Sequence, residues 1–383
     1  MSRLCLNRLS DDWKDVSENG LIVYGLGIVG RRNLKKIKED FYIPFIVDNS
    51  GKCLEYNGMP VKTLKDARGE ISAYKIVIMG TAKVYRSIAA TLEEIGLREY
   101  LDYCSIEQFY AEWYWKYKRE VCLLQIDVAV TLRCTLKCKD CNMFVPYHKA
   151  KTDFSYEELK SNFDDLFCHV DYLSSCVLLG GEPLLNKDLG RLISYLGTTY
   201  GKKIGQLSII SNGTLLPERN LLDIIKEFNV EINLSDYTQT VPYKKRFLEA
   251  VDCYEKHGIT VQIKKDLIWG EFGFPVSPCQ FDNSEEHMKS CSPLWRGLNS
   301  SKYYYCNVAW SAGRLHRFEE NEKDYVNLKG EIDKETLLEY SLGNIKGGLT
   351  CCRYCGGFGE DNKKLVQAGL QIDKEETENA KQL

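Results

Sequence analysis

TLRCTLKCKDC, residues 131–141, places three cysteines, Cys134, Cys138 and Cys141, in one short loop. Three residues separate the first pair and two separate the second, so the three thiolates can face one side of the loop. A four-iron cluster has four corners, and three protein thiolates would leave one iron open to bind and reduce a small molecule. The alternative is a structural zinc site, for which only His148 offers itself as a fourth ligand nearby. The spacing favours the cluster.

Two further motifs follow apolar strand patterns downstream of this cysteine loop. GGEP (180–183) comes after the run SCVLL, and SNG (211–213) comes after LSII. A glycine-bearing turn at the end of a strand lets the backbone approach a ligand closely. Over about residues 120–360, the order of the three motifs resembles the radical S-adenosylmethionine (radical SAM) superfamily.

The resemblance implies a specific chemistry for the cysteine loop. The open iron would chelate the amino and carboxylate groups of the methionine moiety of S-adenosylmethionine (SAM). One electron, from a low-potential donor such as flavodoxin or ferredoxin, would then split the sulfonium and give a 5′-deoxyadenosyl radical. That radical would take a hydrogen atom from a substrate. Asp140 departs from the family, which usually has an aromatic residue just before the third cysteine.

The same resemblance suggests which residues bind SAM. Glu182 and the backbone of Gly180 and Gly181 would meet the methionine amine. The residues positioned for the ribose hydroxyls are Asn212, after the third strand, and Ser235 with Asp236, after the fourth. For Ser235 and Asp236 the alternative is an ordinary turn at the end of a strand.

Composition limits the class of protein. The chain has 383 residues, a net charge of −3 and no basic stripe, which argues against a nucleic-acid binder. No apolar run reaches the roughly eighteen residues of a membrane span, and the N-terminus lacks an apolar signal stretch. Sixteen cysteines without an export signal favour metal chemistry over disulfides. We therefore expect a cytoplasmic protein.

Residues 1–104 are predicted to form a small Rossmann-like domain. The strand LIVY (21–24) precedes GLGIVG (25–30), a helical stretch follows, and an acid comes about twenty residues later. The candidate nucleotide-binding residues are Gly25, Gly27, Gly30 and Asp48. The alternative is a docking domain of this fold that binds no cofactor.

Residues 105–120 are predicted to be a packing helix that links domains, because Phe109, Trp113 and Tyr117 recur on one helical face. Residues 121–275 alternate strands and helices, which predicts a partial (β/α)6 barrel with its ligands at the C-terminal ends of the strands. Within this segment Ser155 and Glu158 form a capping-box pattern. The fold class is therefore α/β.

Residues 276–383 are irregular and rich in cysteine. Fourteen residues separate Cys291 from Cys306, and Cys352 and Cys355 follow in CRYC. This pattern resembles the twitch domain, the shorter relative of the SPASM domain, and implies an auxiliary four-iron cluster with four protein thiolates and no open iron. Zinc is the structural alternative, and Cys351 could replace Cys352 as a ligand. Residues 360–383 are predicted to be a polar, partly mobile tail.

Several functions remain open from sequence. We expect oxidation of a carbohydrate, cyclitol or nucleotide-linked sugar, with the auxiliary cluster accepting an electron. The alternatives are a sugar epimerase with Cys279 as hydrogen donor, a peptide-modifying radical SAM enzyme, and an iron–sulfur electron carrier or redox sensor. Cys279, in SPCQ, has an unliganded buried cysteine as its own alternative. The intact GGEP and SNG motifs argue against a simple electron carrier.

Overall fold

The computed structural model describes residues 5–265, 267–291, 295–315, 318–358 and 362–372. Its backbone divides into two compact units. The first comprises the described residues up to Leu124, together with Val170–Ser174 and Asp333–Asn344; the second comprises Gln125–His169, Ser175–Ile332 and the described residues from Ile345 onward. The predicted domain limits at 104, 120 and 275 stay predictions. Each unit recruits segments that are distant in sequence, which local patterns do not reveal.

The first unit is built on a mostly parallel sheet. Its described strands are β1 (Leu21–Tyr24), β2 (Ile46–Val47), β3 (Glu55–Tyr56), β4 (Met59–Lys62), β5 (Lys75–Ile78) and β6 (Tyr103–Ser105). Their order in the sheet is β3-β4-β2-β1-β5-β6, and only the β3–β4 pair among them is antiparallel. The predicted strand at LIVY coincides with β1. The Rossmann-like assignment stays a prediction.

The helices of the first unit alternate with these strands. They are α1 (Val16–Asn19), α2 (Ile28–Asp40), α3 (Leu64–Ala67), α4 (Ala82–Glu94), α5 (Ile106–Gln108) and α6 (Tyr114–Lys118). A π-helical turn, Phe109–Trp113, joins α5 to α6. Phe109, Tyr110, Trp113 and Tyr114 are fully buried in the core of this unit beside Trp13. The predicted linker helix is therefore part of that core, because its aromatic rings bury large apolar areas there.

The second unit is organised around a longer sheet. Its described strands are β7 (Cys122–Thr131), β8 (Tyr172–Gly180), β9 (Ile204–Ser211), β10 (Glu231–Ser235), β11 (Val261–Lys264), β12 (Ile268–Gly270), β13 (Arg296–Asn299), β14 (Lys302–Tyr304), β15 (Val326–Asn327) and β16 (Leu365–Gln367). The sheet order is β11-β10-β9-β8-β7-β13-β14-β15, with β12 and β16 in a separate antiparallel pair. β13 pairs in parallel with β7. The cysteine-rich segment thus extends the central sheet, since the edge of β7 needs a hydrogen-bonding partner.

Helices alternate with the first strands of this sheet. They are α7 (Tyr156–Phe167), α8 (Leu189–Tyr200), α9 (Arg219–Glu227) and α10 (Lys244–Lys256), followed by α11 (Ser284–Ser290) and α12 (Asn307–Arg314); α13 (Lys334–Ser341) belongs to the first unit. The capping box of Ser155 and Glu158 at α7 is confirmed. The mixed α/β class is confirmed, whereas the (β/α)6 barrel stays a prediction. None of the helices in the described ranges is long and apolar enough to span a bilayer.

The predicted tail is partly structured. In the part of residues 360–383 that the structure describes, β16 pairs with β12, and residues 368–372 continue along the cysteine loop. This segment is therefore held by backbone hydrogen bonds, and the polar, partly mobile tail stays a prediction. The remaining residues of the predicted tail, 360–361 and 373–383, lie outside the described residues.

Candidate active site

The cysteine loop begins where β7 ends and is fixed at its base by Thr131. Thr131 Oγ1 donates a hydrogen bond to Asp153 Oδ1 (2.6 Å) and accepts one from the backbone N–H of Arg133 (2.9 Å). Arg133 Nη1 forms an ion pair with Asp153 Oδ2 at 2.5 Å. At the far end, the N–H of Phe144 donates to Cys141 O (2.8 Å). The loop is thus tied to another segment of the fold at its base, and it ends in a local turn.

The three thiols of this loop lie within electrostatic range of one another. Burial raises the pKa of the Cys134 and Cys138 thiols to about 12 each, and the nearby Cys141 contributes in the same direction. Burial also raises the pKa of Cys141. Buried thiols of this kind are inert unless a metal replaces the proton. The donor set therefore suits an iron–sulfur cluster.

No three His, Cys, Asp or Glu side chains in the described ranges are close enough to ligate a single metal ion. A four-iron cluster makes a different demand, because each thiolate binds a different corner. His148, the residue considered as a zinc ligand, is buried, and its Nε2 lies 3.1 Å from Met143 O and 3.0 Å from Ser311 Oγ. Its Nε2 is thus engaged by groups of the fold, which does not favour the zinc alternative.

Gly180 and Gly181 pack against the start of the cysteine loop. A Cβ atom on Gly180 would lie 2.2 Å from Thr131 O, and one on Gly181 would lie 1.9 Å from Arg133 O. Gly180 also has a φ of 137°, which L-residues rarely adopt. The N–H of Gly181 donates to Thr131 O at 2.8 Å. Both glycines are therefore required for contact with the protein's own backbone, while their contact with a ligand stays a prediction.

Glu182 connects the GGEP motif to the SNG motif. Its side chain is fully buried, Oε2 accepts the N–H of Asn212 (2.9 Å), and Oε1 accepts the N–H of Leu184 (3.2 Å). Burial raises the pKa of Glu182 to about 7. The carboxyl group thus braces two motifs internally. Its predicted contact with the methionine amine stays a prediction.

Asn212 reaches the cysteine loop. Its Nδ2 donates to Thr135 Oγ1 (3.1 Å) and lies 3.5 Å from Cys134 Sγ. The hydroxyl of Tyr243 donates to Asn212 O (2.8 Å) and accepts the N–H of Tyr237 (3.2 Å). Sequence reasoning missed Thr135, Tyr237 and Tyr243, because no motif or spacing distinguishes them before the loops come together.

Ser235 and Asp236 follow β10 as predicted. Ser235 is buried, and Asp236 Oδ1 accepts the N–H of Thr238 (2.9 Å). This hydrogen bond is typical of an Asx turn and matches the alternative of an ordinary turn at the end of a strand. A role for either residue at ribose hydroxyls stays a prediction. Next in the chain, Tyr237 has its phenol pKa raised by burial, and the nearby Cys138 contributes.

A cavity of about 850 Å³ borders the cysteine loop. Cys134, Tyr147 and Ile372 are among its lining residues. The cationic residues that line it are Arg133, Lys137, Lys149 and Lys151. No Asp or Glu is among the described residues of its wall. Several positive charges around a concave site favour an anionic ligand.

These motifs fall within one matched segment. Residues 128–275 match the model of the Radical SAM superfamily. This segment is a radical SAM domain. It contains the cysteine loop, the GGEP and SNG motifs, and the turn at Ser235 and Asp236. The resemblance inferred from these motifs is confirmed for this segment.

Relatives match parts of the chain. A GTP 3′,8-cyclase from Rhizobium etli is 28% identical over 152 residues, covering 36% of this chain and 42% of that protein. An Fe-coproporphyrin III synthase from Methanosarcina barkeri is 35% identical over 100 residues, covering 26% of this chain and 23% of that protein. The solved structure of native anSMEcpe with bound AdoMet has a TM-score of 0.40 and 15% identity, covering 67% of this chain and 96% of that one. The chain spans less than half the length of the two curated relatives.

Outside the radical SAM domain, the four cysteines of the predicted auxiliary site line one small cavity. They are Cys291, Cys306, Cys352 and Cys355. Cys306 is the N-cap of α12, two residues after β14 ends. Burial raises the pKa of Cys306 to about 11 and also raises the pKa of Cys291 and Cys355. The charge of Cys352 contributes to all three shifts, so the predicted set is brought together.

Backbone amides point at two of these sulfur atoms. The N–H of Phe358 donates to Cys291 Sγ (3.1 Å), and the N–H of Gly357 donates to Cys355 Sγ (3.4 Å). Cys351 is buried in the same cavity, and its thiol is hydrogen-bonded to Cys352. Both cysteines line the cavity, so the choice between Cys351 and Cys352 as the fourth ligand stays open.

The predicted nucleotide loop lies between β1 and α2. A Cβ on Gly30 would lie 2.0 Å from Gly25 O, whereas one on Gly27 would meet nothing within 4 Å. The two carboxylate oxygens of Asp48 accept the N–H groups of Leu26 (2.7 Å) and Ser50 (2.9 Å). Asp48 thus orders the loop itself. Binding of a nucleotide there stays a prediction.

Cys279, the candidate hydrogen donor, lies outside the radical SAM domain. Its backbone N–H donates to Tyr354 O (2.9 Å), and its sulfur faces Gly273. The side chain is partly buried. These contacts connect it to the cysteine-rich segment, and its role as a donor stays a prediction.

Proposed function

We propose that this protein is a radical SAM enzyme that oxidises a carbohydrate, cyclitol or nucleotide-linked sugar. The observation that supports this best is that three thiols, of the buried Cys138 and the partly buried Cys134 and Cys141, lie within electrostatic range of one another beside the GGEP and SNG motifs. These thiols would hold the four-iron cluster. When bound, the cluster and SAM would supply a 5′-deoxyadenosyl radical that takes a hydrogen atom from the substrate.

The chain's own part in this reaction is to hold the site rigid. Glu182 fixes the turn that contains Asn212, and Asn212 in turn holds Thr135 beside Cys134. The N–H of Leu136 and the amide of Asn212 both point at Cys134 Sγ, at 3.4 and 3.5 Å. Donors aimed at sulfur favour the thiolate form that binds metal. The site is therefore organised before any cofactor arrives.

The cationic wall of the cavity supports an anionic substrate. Four positive side chains, of which Arg133 is paired with Asp153, and no carboxylate line a volume of about 850 Å³ next to Cys134. The relative from Rhizobium etli is named for a reaction of GTP, a nucleotide with charged phosphates. Of the three substrate classes, these points favour the nucleotide-linked sugar.

The four thiols at Cys291, Cys306, Cys352 and Cys355 support oxidation. Four protein ligands would leave an auxiliary cluster no open iron, so accepting an electron is its natural use. The substrate would lose one hydrogen atom to the adenosyl carbon and one proton to a base, and the remaining electron would go to the auxiliary cluster. The product would be two hydrogens lighter than the substrate.

Anaerobic reconstitution with iron, sulfide, dithionite and SAM tests the radical chemistry. Wild-type protein should release 5′-deoxyadenosine and methionine, and replacing any one of Cys134, Cys138 and Cys141 with Ala should abolish this. Cys168→Ala, at an exposed cysteine after α7, is the matched control and should retain full cleavage. Undiminished cleavage in a loop variant would refute the assignment.

The substrate class requires a separate assay. Deuterated nucleotide-linked sugars and the same sugars without the nucleotide should be compared for transfer of deuterium into 5′-deoxyadenosine. Lys149→Glu should raise the KM for the nucleotide-linked sugar, whereas Lys202→Glu, an exposed control outside the cavity, should not. The KM for SAM is measured in parallel, because a rise in that KM would show that Lys149 acts on the carboxylate of SAM and not on the sugar substrate. A product of unchanged mass that gains one deuterium in heavy water, lost in Cys279→Ala, would indicate epimerisation instead.

A further inference from the structure

The segment Leu365–Ile372 runs along the cysteine loop, and we call it the strap. It starts as β16, whose residues pair with β12. Beyond β16, the N–H of Lys139 donates to Leu370 O (2.7 Å), and the N–H of Ile372 donates to Lys137 O (2.9 Å). Thr240 Oγ1 adds a hydrogen bond to Ala368 O (3.0 Å). The strap is thus a second layer of backbone across residues 137–139 of the loop.

One strap side chain, that of Gln371, reaches a predicted cluster ligand. Its Oε1 accepts the N–H of Lys137 (2.7 Å), and its Nε2 donates to Gly369 O (2.7 Å) and to Cys138 Sγ (3.4 Å). Gln371 and Cys138 also face each other as an isolated antiparallel bridge. Gln371 therefore contacts the loop through both its backbone and its side chain.

The orientation of this amide is determined by its partners. Turning it over would place Oε1 against Gly369 O and Nε2 against the N–H of Lys137, which gives two repulsive pairs. Only the observed orientation satisfies all three groups, and it points an N–H at Cys138 Sγ. The sulfur is buried, so this donor is not exchanged freely for water. A hydrogen bond to a cluster thiolate in such a site raises the reduction potential.

We propose that Gln371 is a positioning residue that holds Cys138 for the cluster and raises the reduction potential of that cluster through its N–H···S hydrogen bond. The inference rests on the proposed function, because it requires a cluster on the cysteine loop. An N–H dipole whose positive end faces the sulfur stabilises the more negative, reduced state. The strap supplies this dipole from 233 residues further along the chain.

Two substitutions of Gln371 distinguish the effect of its N–H donor from the effect of its side-chain packing. Gln371 is exposed overall, so Gln371→Leu removes all three side-chain hydrogen bonds with little loss of buried surface. Gln371→Glu keeps the size and an acceptor for Lys137, but replaces the donor with a carboxylate oxygen beside Cys138 Sγ. Gln367→Leu is the matched control, since that exposed strap residue donates only to Gln239 among the contacts described for its side chain.

The experiment uses full-length protein reconstituted anaerobically, with iron content, the electron paramagnetic resonance spectrum and an anaerobic redox titration as readouts. The signal of the loop cluster is the one that Cys138→Ala removes. In Gln371→Leu its potential should shift to more negative values, further still in Gln371→Glu, and stay at the wild-type value in Gln367→Leu. Loss of iron in the Gln371 variants alone would equally support the positioning role.

Full iron content together with a wild-type spectrum and potential in both Gln371 variants would overturn the inference. An equal change in Gln367→Leu would also overturn it, because the effect would then belong to the strap as a whole. Wild-type protein with no iron signal that depends on Cys138 would instead refute the proposed function. The two failures are therefore distinguishable in one set of samples.

Discussion

Glu182 is a fully buried carboxyl group whose two oxygens accept backbone N–H groups from Leu184, just after the GGEP motif, and from Asn212 in the SNG motif. Its burial raises its pKa to about 7, above the value of about 4.3 expected in the unfolded chain. At the scale of single residues, Glu182 therefore has a structural role that does not depend on a bound ligand. Replacing it should therefore change stability as well as activity.

We expect Glu182→Gln to change the pH dependence of stability. A raised pKa means that the folded state binds the proton more tightly, so the contribution of Glu182 is largest below about pH 4.5 and declines as the pH rises through about 7. Glutamine cannot ionise, so the stability of the variant lacks this dependence on pH. The difference in free energy of unfolding, wild type minus variant, should therefore fall by about 3 kcal/mol between about pH 4.5 and pH 7. Urea unfolding of the metal-free proteins at several pH values measures this difference.

Glu227→Gln is the control for that measurement, because Glu227 is exposed at the end of α9. It should show no comparable change with pH. A difference between wild type and Glu182→Gln that stays constant from pH 4.5 to 7.5 would contradict the expected burial effect.

Helix α7 shows how a local pattern acts at the scale of an element. The N–H of Glu158 donates to Ser155 Oγ (3.3 Å), and the N–H of Ser155 donates to Glu158 Oε2 (2.9 Å). Ser155→Ala should lower the free energy of unfolding by about 1 kcal/mol, since an N-cap oxygen is lost. Ser161→Ala, at an exposed position inside the same helix, should change it little or raise it slightly. Urea denaturation tests both, and equal effects would contradict the capping role.

The turn between β1 and α2 offers a second test at this scale. Gly30→Ala should destabilise the protein by about 1–3 kcal/mol, because its Cβ would collide with Gly25 O. Gly27→Ala meets open space and should change stability by less than about 0.5 kcal/mol. Thermal unfolding compares the two variants, and similar losses in both would contradict the packing role of Gly30.

Nucleotide binding by this turn is tested independently of its stability. Calorimetry with NAD(H) and several nucleotide sugars should detect binding in wild type and a weaker affinity in Gly27→Ala, since Gly27 stands at the exposed N-terminus of α2. If no nucleotide binds to the wild-type protein, the docking-domain alternative is the better description of this unit.

At the scale of the whole molecule, the number of clusters is the decisive property. Two four-iron clusters require about eight irons per chain, whereas one cluster with a zinc ion requires about four irons. We expect about eight irons in wild type, about four in Cys352→Ala, and about eight in Cys351→Ala. Iron and zinc analysis of anaerobically purified protein measures this. Stoichiometric zinc with about four irons in wild type would refute the auxiliary cluster.

The sequence alone determined the cysteine motif, the glycine motifs, the cap of α7 and the strands that precede each motif. These features depend on residues a few positions apart, where spacing and periodicity reflect local geometry directly. Local patterns do not show how segments that are distant in sequence join one unit, or that residues 365–372 pair with β12 and with the cysteine loop. The packing partners of these segments lie far away in the chain.

Only the tertiary structure decided which side chains complete the candidate site. The hydrogen bond from Asn212 to Glu182 spans 30 residues, and the one from Gln371 to Cys138 spans 233. The separation of these residues in the sequence does not reveal either contact, because a hydrogen bond depends on distance and direction in space. Composition and motif therefore determine which chemistry the cysteine loop can perform, while the folded backbone determines which donors surround its sulfur atoms.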